Sequence, residues 1–339
     1  MTTTERTTFA DIAAELGTSV STVSKVINGR PGVSDALRDR ILAALDEAQY
    51  TRRGEGPRPP GKIIDVAFTQ VRGEWPTRLL YGAEAEAFRS GVALVVSSIH
   101  GRMLGSKRWL NGLADRRSGG LVLVACRTRP DLDHKLRRLR LPYLYVDPIG
   151  VVPDNVPTIN VTNFAGARDA TQHLTDLGHT RIGLITGPPD VTYSQERLDG
   201  YIAALRRAEI EYDPALVRYG MMDETSGYRL GAELLDLPDR PTAVFAGSDL
   251  QARGLYLAAA ERGVAIPGDV SVVGFDNLDS GEWCSPRLTT VDQPMEDMGA
   301  LAVRTILSAG AGDPLPTATR TELASTLVIR ESTAAPRRG

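Results

Sequence analysis

The chain has 339 residues, a formal charge of −3, and 42% hydrophobic against 24% charged residues, ordinary values for a soluble globular protein of two or three domains. No run approaches the roughly 18 apolar residues of a membrane span, and Cys126 and Cys284 form neither a metal spacing nor a disulfide framework. A cytoplasmic protein with buried, inert thiols is expected, without membrane, metal or cofactor, and the opening MTTTERTTF lacks the basic and apolar regions of a secretory leader.

Residues 9–50 read as three short helices. Phe9, Ile12, Ala13 and Leu16 recur at helical spacing, and Gly17 stops that helix because it adopts the left-handed conformation without strain. Ser19 is an N-cap for a second helix, in which Val23 and Ile27 face a small core while Val20, Ser21 and Lys25 point away. Asn28-Gly29 breaks the chain. Ser34 then caps a third helix, with Asp35 in its first turn and Leu37, Ile41 and Leu45 on its inner face.

The second helix presents Ser19, Val20, Ser21, Thr22, Ser24 and Lys25. Small side chains allow close approach to base edges, and hydroxyls and an ammonium reach phosphates, so these residues and Asn28 are the candidate DNA contacts. The competing reading is a solvated helix in any three-helix module. The tight turn between the first two helices favours the geometry of groove readers, and residues 1–51 are taken as a helix-turn-helix DNA-binding domain. Charge adds little, since residues 1–62 hold nine Lys or Arg against eight Asp or Glu.

Residues 52–62 form a basic linker rich in proline and glycine. Pro57, Pro59 and Pro60 argue against a continuous helix there, and Arg52, Arg53, Arg58 and Lys62 are placed to touch DNA phosphates. Beyond it, residues 63–332 alternate β-branched apolar runs with segments long enough for crossover helices. Runs at 63–68, 92–98, 120–125 and 141–147 make a first half. The pattern restarts with 158–163, 181–186, 216–220, 242–247 and 270–276, then 288–292, a last helix and a last strand. Two α/β lobes of mostly parallel sheet result, followed by a tail at 333–339, and ligands in such sheets bind beyond the carboxyl ends of the strands.

Those strand ends carry chemistry suited to a polyhydroxylated ligand. Trp75 follows the first strand and offers a platform for the CH face of a sugar. Asp147, Arg197, Ser248, Asp276 and Gln293 supply donors and acceptors for hydroxyls. Each has a structural rival: Asp147 and Asp276 as turn caps, Arg197 in a surface pair with Glu196 or Asp199, Trp75 at an interface, Asp249 as an N-cap. Enzyme motifs are missing, since GPPDVTYSQ is not a nucleophile elbow and no H-E-x-x-H or phosphate-binding G-x-x-x-x-G-K-[ST] loop occurs. His179, between a helix end and a strand, reads as a structural hydrogen-bonding residue.

The order of TFADIAAELGTSVSTVSKVING, LGHTRIGLITG, SQERLDGYIAAL, AVFAGSDLQARGLYLAAAERGVAIPGDVSVVGFDN and LTTVDQPMEDMG resembles the lactose/galactose-repressor (LacI-type) family of bacterial transcription regulators over nearly the whole chain. The resemblance implies a homodimer or larger assembly, a palindromic double-stranded operator, and an effector cleft in a core similar to periplasmic sugar-binding proteins. It puts Val20, Ser21 and Lys25 at base-reading positions and Asp147, Arg197 and Asp276 at effector-contacting ones. Trp75, Met222, Ser248, Gln293 and Met295 match positions that vary with the effector. The chain departs from the family where a hinge leucine is usual, holding GEGPRPP instead, and Met222 stands where many relatives have an aromatic wall. The expectation is a non-enzymatic repressor of carbohydrate-utilisation genes answering to a sugar or short oligosaccharide. Its rival is the same class of regulator sensing a purine, nucleoside or phosphorylated metabolite, with corepression open.

Overall fold

In the computed structural model the described residues are 8–27, 32–47, 63–99, 104–310 and 320–337, and the chain divides into two units, Met1–Arg58 and Pro59–Gly339. The first unit holds α1 (Phe9–Glu15), α2 (Val20–Ile27) and α3 (Asp35–Glu47). Thr8 and Asp11 cap α1 reciprocally: the Thr8 amide donates to Asp11 Oδ2 at 2.6 Å and the Asp11 amide to Thr8 Oγ1 at 3.4 Å. The helix ends in paired reverse bonds, Gly17 N–H to the Ala14 carbonyl and Thr18 N–H to that of Ala13, with Gly17 at φ +61°. Ile12, Ala13, Val23, Val26, Ile41 and Ala44 form its core, flanked by Phe9, Leu16, Leu37 and Leu45. Val26 thus shares the inner face with Val23; the side chain of Ile27 lies outside the described residues, as do Asn28 and the 52–62 linker.

The second unit is built from two six-stranded sheets. The first has the order β11 (Arg320–Leu323), β5 (Thr158–Val161), β4 (Tyr143–Val146), β3 (Gly120–Val124), β1 (Ile63–Phe68), β2 (Ala93–Ser98), all parallel. The second runs β12 (Thr326–Val328), β10 (Thr289–Asp292), β9 (Ser271–Asp276), β8 (Ala243–Ala246), β6 (Ile182–Thr186), β7 (Val217–Tyr219), parallel except for β12. Helices α4 (Glu74–Arg89), α5 (Lys107–Asp115) and α6 (Pro130–Arg138) serve the first lobe. The second has α7 (Asn163–Asp176), α8 (Thr192–Arg207), α9 (Glu224–Leu235), α10 (Asp249–Glu261) and the short α11 (Asp279–Glu282). The central strands, β3, β6 and β9 among them, are buried on both faces, which is why they read as continuous apolar runs.

The division between lobes differs from the sequence reading. The run at 158–163 was expected to open the second half; instead β5 pairs with β4, Val146 beside Ile159, and closes the first sheet. An apolar run specifies a buried strand, not which of two sheets receives it. The last helix, α12 (Met295–Gly310), likewise returns to the first lobe, where Met298, Val303 and Ile306 join its core, and the single expected final strand is two, one in each sheet. The chain therefore crosses between lobes three times, at 161–163, 292–295 and 323–326. Two crossings are tied together: Thr162 N–H donates to the Leu323 carbonyl at 3.0 Å, and Ser325 N–H to Thr162 Oγ1 at 2.9 Å.

The segment read as a tail is bonded into the second lobe over its described part, with Ala334 N–H on Ser271 Oγ at 3.0 Å and Arg337 on Asp269 at 2.7 Å. His179 is buried and holds Thr242 Oγ1 at 2.8 Å and the Ala334 carbonyl at 2.9 Å, the structural role expected for it. Cys126 is buried, which pushes its thiol up to about 12; Cys284 is half-buried rather than buried, because it lies at the exposed turn after α11.

Candidate functional site: a groove-reading helix and an interlobe cleft

Helix α2 begins where Ser19 leaves the turn. Its Oγ accepts the Thr22 amide at 3.1 Å and lies 2.7 Å from Ser21 Oγ and 2.8 Å from Thr22 Oγ1. Ser19 is thus engaged in capping, and its hydroxyl is shared among the first turn. Val20, 47% exposed, stands with Ser21 and Lys25 on the solvent face, Thr22 and Ser24 lie at its margin, and Val23 and Val26 turn inward. An exposed aliphatic residue beside hydroxyls and a cation is unfavourable in water and well suited to base edges and thymine methyls.

In the second unit, strand ends from both sheets converge. Asp147 follows β4 with φ +45°, Asp276 ends β9 with φ +115°, and Asn277 follows at +52°, so three polar residues adopt backbone that L-residues seldom take. Arg197 lies in the second turn of α8, which starts at Thr192. It is 5% exposed, donates Nε–H to Asn163 Oδ1 at 3.0 Å and Nη1–H to the Gly247 carbonyl, and sits 3.8 Å from Asp276 Oδ1. Its guanidinium stacks 3.7 Å from the centre of the Phe275 ring. The rival surface pairing of Arg197 with Glu196 or Asp199 is not observed: the side chain is buried among these partners.

Gln293, beyond β10, donates to Asp276 Oδ1 at 2.5 Å. Asp147 is 8% exposed, and burial pushes its carboxyl up to about 7, with Arg197 pulling the other way. Asp276 is also pushed up to about 7 by burial, against the pull of Arg197 and the Gln293 hydrogen bond. Burial lowers Arg197, while both carboxylates raise it. The cluster thus holds two carboxyl groups against one guanidinium, with buried Ser194 Oγ and Gln293 Oε1 left without partners.

The remaining expectations divide. Trp75 is half-buried in the first turn of α4 and packs against the first-lobe core. Met222 lies half-buried on the second lobe, close to Gly187, where a Cβ would sit 2.7 Å from its Cε. Ser248 is the N-cap of α10, its Oγ accepting the Gln251 amide at 3.1 Å, and it takes the role given to Asp249. Asp249 is instead a buried anchor, accepting from Leu278 N–H at 2.7 Å and Thr290 Oγ1 at 2.5 Å. Met295 is fully buried and packs in the first-lobe core.

Sequence reasoning passed over Asn163 and Tyr193. Tyr193 precedes Arg197 by one helical turn, with its ring centre 5.6 Å from the guanidinium carbon, a spacing visible in TYSQERL. Asn163 escaped because its strand was assigned to the wrong sheet. The lobes also touch directly: Arg78 donates to the Asn277 carbonyl at 2.6 Å, Ser280 N–H to Glu74 at 2.9 Å, and Arg127 pairs with Asp190 at 2.8 Å.

A groove-reading helix at one end of a chain whose core closes two parallel sheets around buried polar side chains defines an effector-responsive transcription regulator. Residues 8–53 match the family model described as bacterial regulatory proteins, lacI family, and residues 171–333 match a periplasmic binding protein-like domain. The chain is 30% identical over 332 residues to the HTH-type transcriptional repressor CytR of Escherichia coli, covering 97% of this chain and 96% of that one. With the ribose operon repressor of Escherichia coli it shares 32% identity, covering 88% and 92%. Among solved structures, a transcriptional regulator CelR–cellobiose complex superposes with TM-score 0.74 at 32% identity, covering 96% of this chain and 100% of that one. A lac repressor dimer bound to operator and the anti-inducer ONPF superposes with 0.71 at 27%, covering 98% and 100%. The chain belongs to the LacI family of bacterial regulatory proteins. Its relatives are transcriptional regulators, and among the described residues no helix is long and apolar enough to cross a membrane.

Proposed function

We propose that this protein is a DNA-binding repressor whose operator affinity is set by a neutral, polyhydroxylated ligand, a sugar or short oligosaccharide, held between the two lobes by Asp147, Arg197, Asp276 and Gln293. Residues 1–51 read the operator, 52–62 join that domain to the core, and 63–332 bind effector and dimerise. The observation that carries the ligand class is the charge balance of the cleft. Two buried carboxyl groups face one guanidinium, so the site wants hydroxyl donors and disfavours a phosphate, which would add negative charge beside Asp147 and Asp276. The relative bound to cellobiose and the repressor of a ribose operon point the same way.

A homodimer on a two-fold-symmetric operator follows from the lac repressor dimer's likeness. It is supported by apolar side chains left in water: Tyr81 at 65% and Phe88 at 78% exposure lie two turns apart on one face of α4, and Leu257 is 51% exposed on α10. A thermal-shift screen of the pure protein against cellobiose, ribose and nucleosides tests the ligand class; saturation at 100 times the dissociation constant adds about 2.7 kcal/mol. The sugar reading predicts a shift with a saccharide that Arg197→Ala and Asp276→Ala abolish. A shift only with nucleosides or phosphorylated compounds would overturn it.

A further inference from the structure

Asp276, 3.8 Å from Arg197, leaves β9 on backbone at φ +115°, and Asn277 follows at +52°. Two consecutive L-residues keep such backbone only where their surroundings hold them there. The question is what holds this turn, since the position of the Asp276 carboxyl depends on it.

Asp249, the first residue of α10 and fully buried, brackets the turn. Its Oδ2 accepts Leu278 N–H at 2.7 Å and its Oδ1 accepts the Thr290 hydroxyl at 2.5 Å. Thr290 Oγ1 in turn accepts Asn277 N–H at 3.3 Å. One carboxylate thus takes both amides that follow Asp276, the first through a hydroxyl and the second directly. The Asn277 side chain is tied on both sides, its Nδ2–H donating to Asp292 Oδ1 and its Oδ1 accepting from Arg330, each at 2.7 Å. Leu278 then packs into the first-lobe core.

The simplest account of an aspartate at this place is a helix cap, but Ser248 already caps α10. Two further observations concern the carboxylate itself. The packing leaves room for it, because a Cβ on Gly274 of β9 would lie 2.2 Å from Asp249 Oδ1. Its presence is also unfavourable: burial, and then the neighbouring Asp276 carboxyl, push Asp249 well above the usual carboxylate range, against the hydrogen bonds from Thr290 and Leu278. An apolar side chain would fill the space without that cost. What a carboxylate supplies is acceptance on both oxygens at once, which an amide of the same shape cannot give.

We propose that Asp249 is a positioning residue for the effector: through Leu278 N–H and the Thr290 hydroxyl it holds the turn that keeps the Asp276 carboxyl beside Arg197 and Gln293, and so sets the affinity of the cleft without touching the ligand. The proposal rests on the reading of the cleft as a saccharide site and deepens it. With the bracket broken, the turn relaxes toward backbone that L-residues favour. Apparent affinity then falls with the fraction of molecules that keep Asp276 in place.

The test is calorimetric titration of the full chain with cellobiose and with ribose, each protein held well below its own melting temperature. Asp249→Asn keeps the shape but accepts on one side only, and Thr290→Val removes the bridging hydroxyl at nearly constant volume. Both are expected to bind the saccharide roughly tenfold more weakly than the parent, whatever their melting temperatures. Thr290→Ser, which restores the hydroxyl and lacks the methyl, is expected to bind within about twofold of the parent. Should Asp249→Asn fail to fold, the two Thr290 variants decide the matter. Parent-like dissociation constants for Asp249→Asn and Thr290→Val, even with lowered melting temperatures, show a merely structural role and overturn the proposal while leaving the saccharide site intact. Thr290→Ser binding as weakly as Thr290→Val overturns it as well, since packing of the methyl and not the hydroxyl would then matter. A parent that binds neither saccharide overturns both the proposal and the reading of the cleft.

Discussion

Replacing Asp147 by Asn exposes the conflict between stability and ligand binding in the cleft. Burial moves this carboxyl from 3.8 to about 7, and among the described residues no hydrogen bond is directed at its ionised form. The sign follows from proton binding. Between pH 4 and 7 the folded chain holds the proton that the unfolded chain has released, so this group's contribution to stability falls as pH rises and is lowest above pH 7. The displacement corresponds to about 4 kcal/mol at most. Asparagine is nearly the same size, carries no charge, and accepts positive φ better than most residues, which suits the φ of +45° at this position. Urea unfolding of the ligand-free proteins should therefore find Asp147→Asn more stable than the parent at pH 8. The difference should shrink by about 2 to 3 kcal/mol on going to pH 5. The same variant should lose effector binding, because an acceptor for a ligand hydroxyl becomes in part a donor. A variant less stable than the parent at pH 8, or a difference that ignores pH, would refute the claim that Asp147 is a buried, unfavourably ionised group kept for a ligand.

Gly254→Ala should destabilise the second lobe by about 3 kcal/mol or more, seen as a lower melting temperature, because a Cβ there would sit 2.1 Å from the Glu224 carbonyl where α9 and α10 cross, and backbone cannot yield cheaply. Ser19→Ala should reduce the stability of the first unit by about 1 kcal/mol through loss of the α2 cap, while Ser19→Asp should restore it in thermal unfolding of the full chain.

The helix-turn-helix was legible because its signals are local: a glycine stop at Gly17, a cap at Ser19, and apolar spacing that Ile12, Val23 and Ile41 satisfy in the structure. The strands were equally legible as apolar runs between turns. Their distribution was not, because Ile159 pairing with Val146, and the return of Met298 and Ile306 to the first lobe, depend on long-range closure that no window of sequence contains. At the cleft, Asp147 and Asp276 were legible as polar residues at strand ends, whereas Arg197 comes from α8 and meets Asp276 through the packing of that helix. Two roles were not legible: Ser248 caps α10, and α12 turns Met295 into the first-lobe core, because both depend on where the following helix packs.

The most direct test of the central claim is operator affinity measured with and without effector. DNA selected from a random-sequence library by the full chain should be a pseudo-palindrome with half-sites about one helical turn apart. The saccharide found by thermal shift should then weaken binding of that DNA by about 5- to 150-fold, a coupling of roughly 1 to 3 kcal/mol between cleft and groove. Arg197→Ala should bind the operator as the parent does and ignore the saccharide. An operator affinity unchanged by saturating ligand would contradict the account, since a ligand bound equally well by both states cannot regulate.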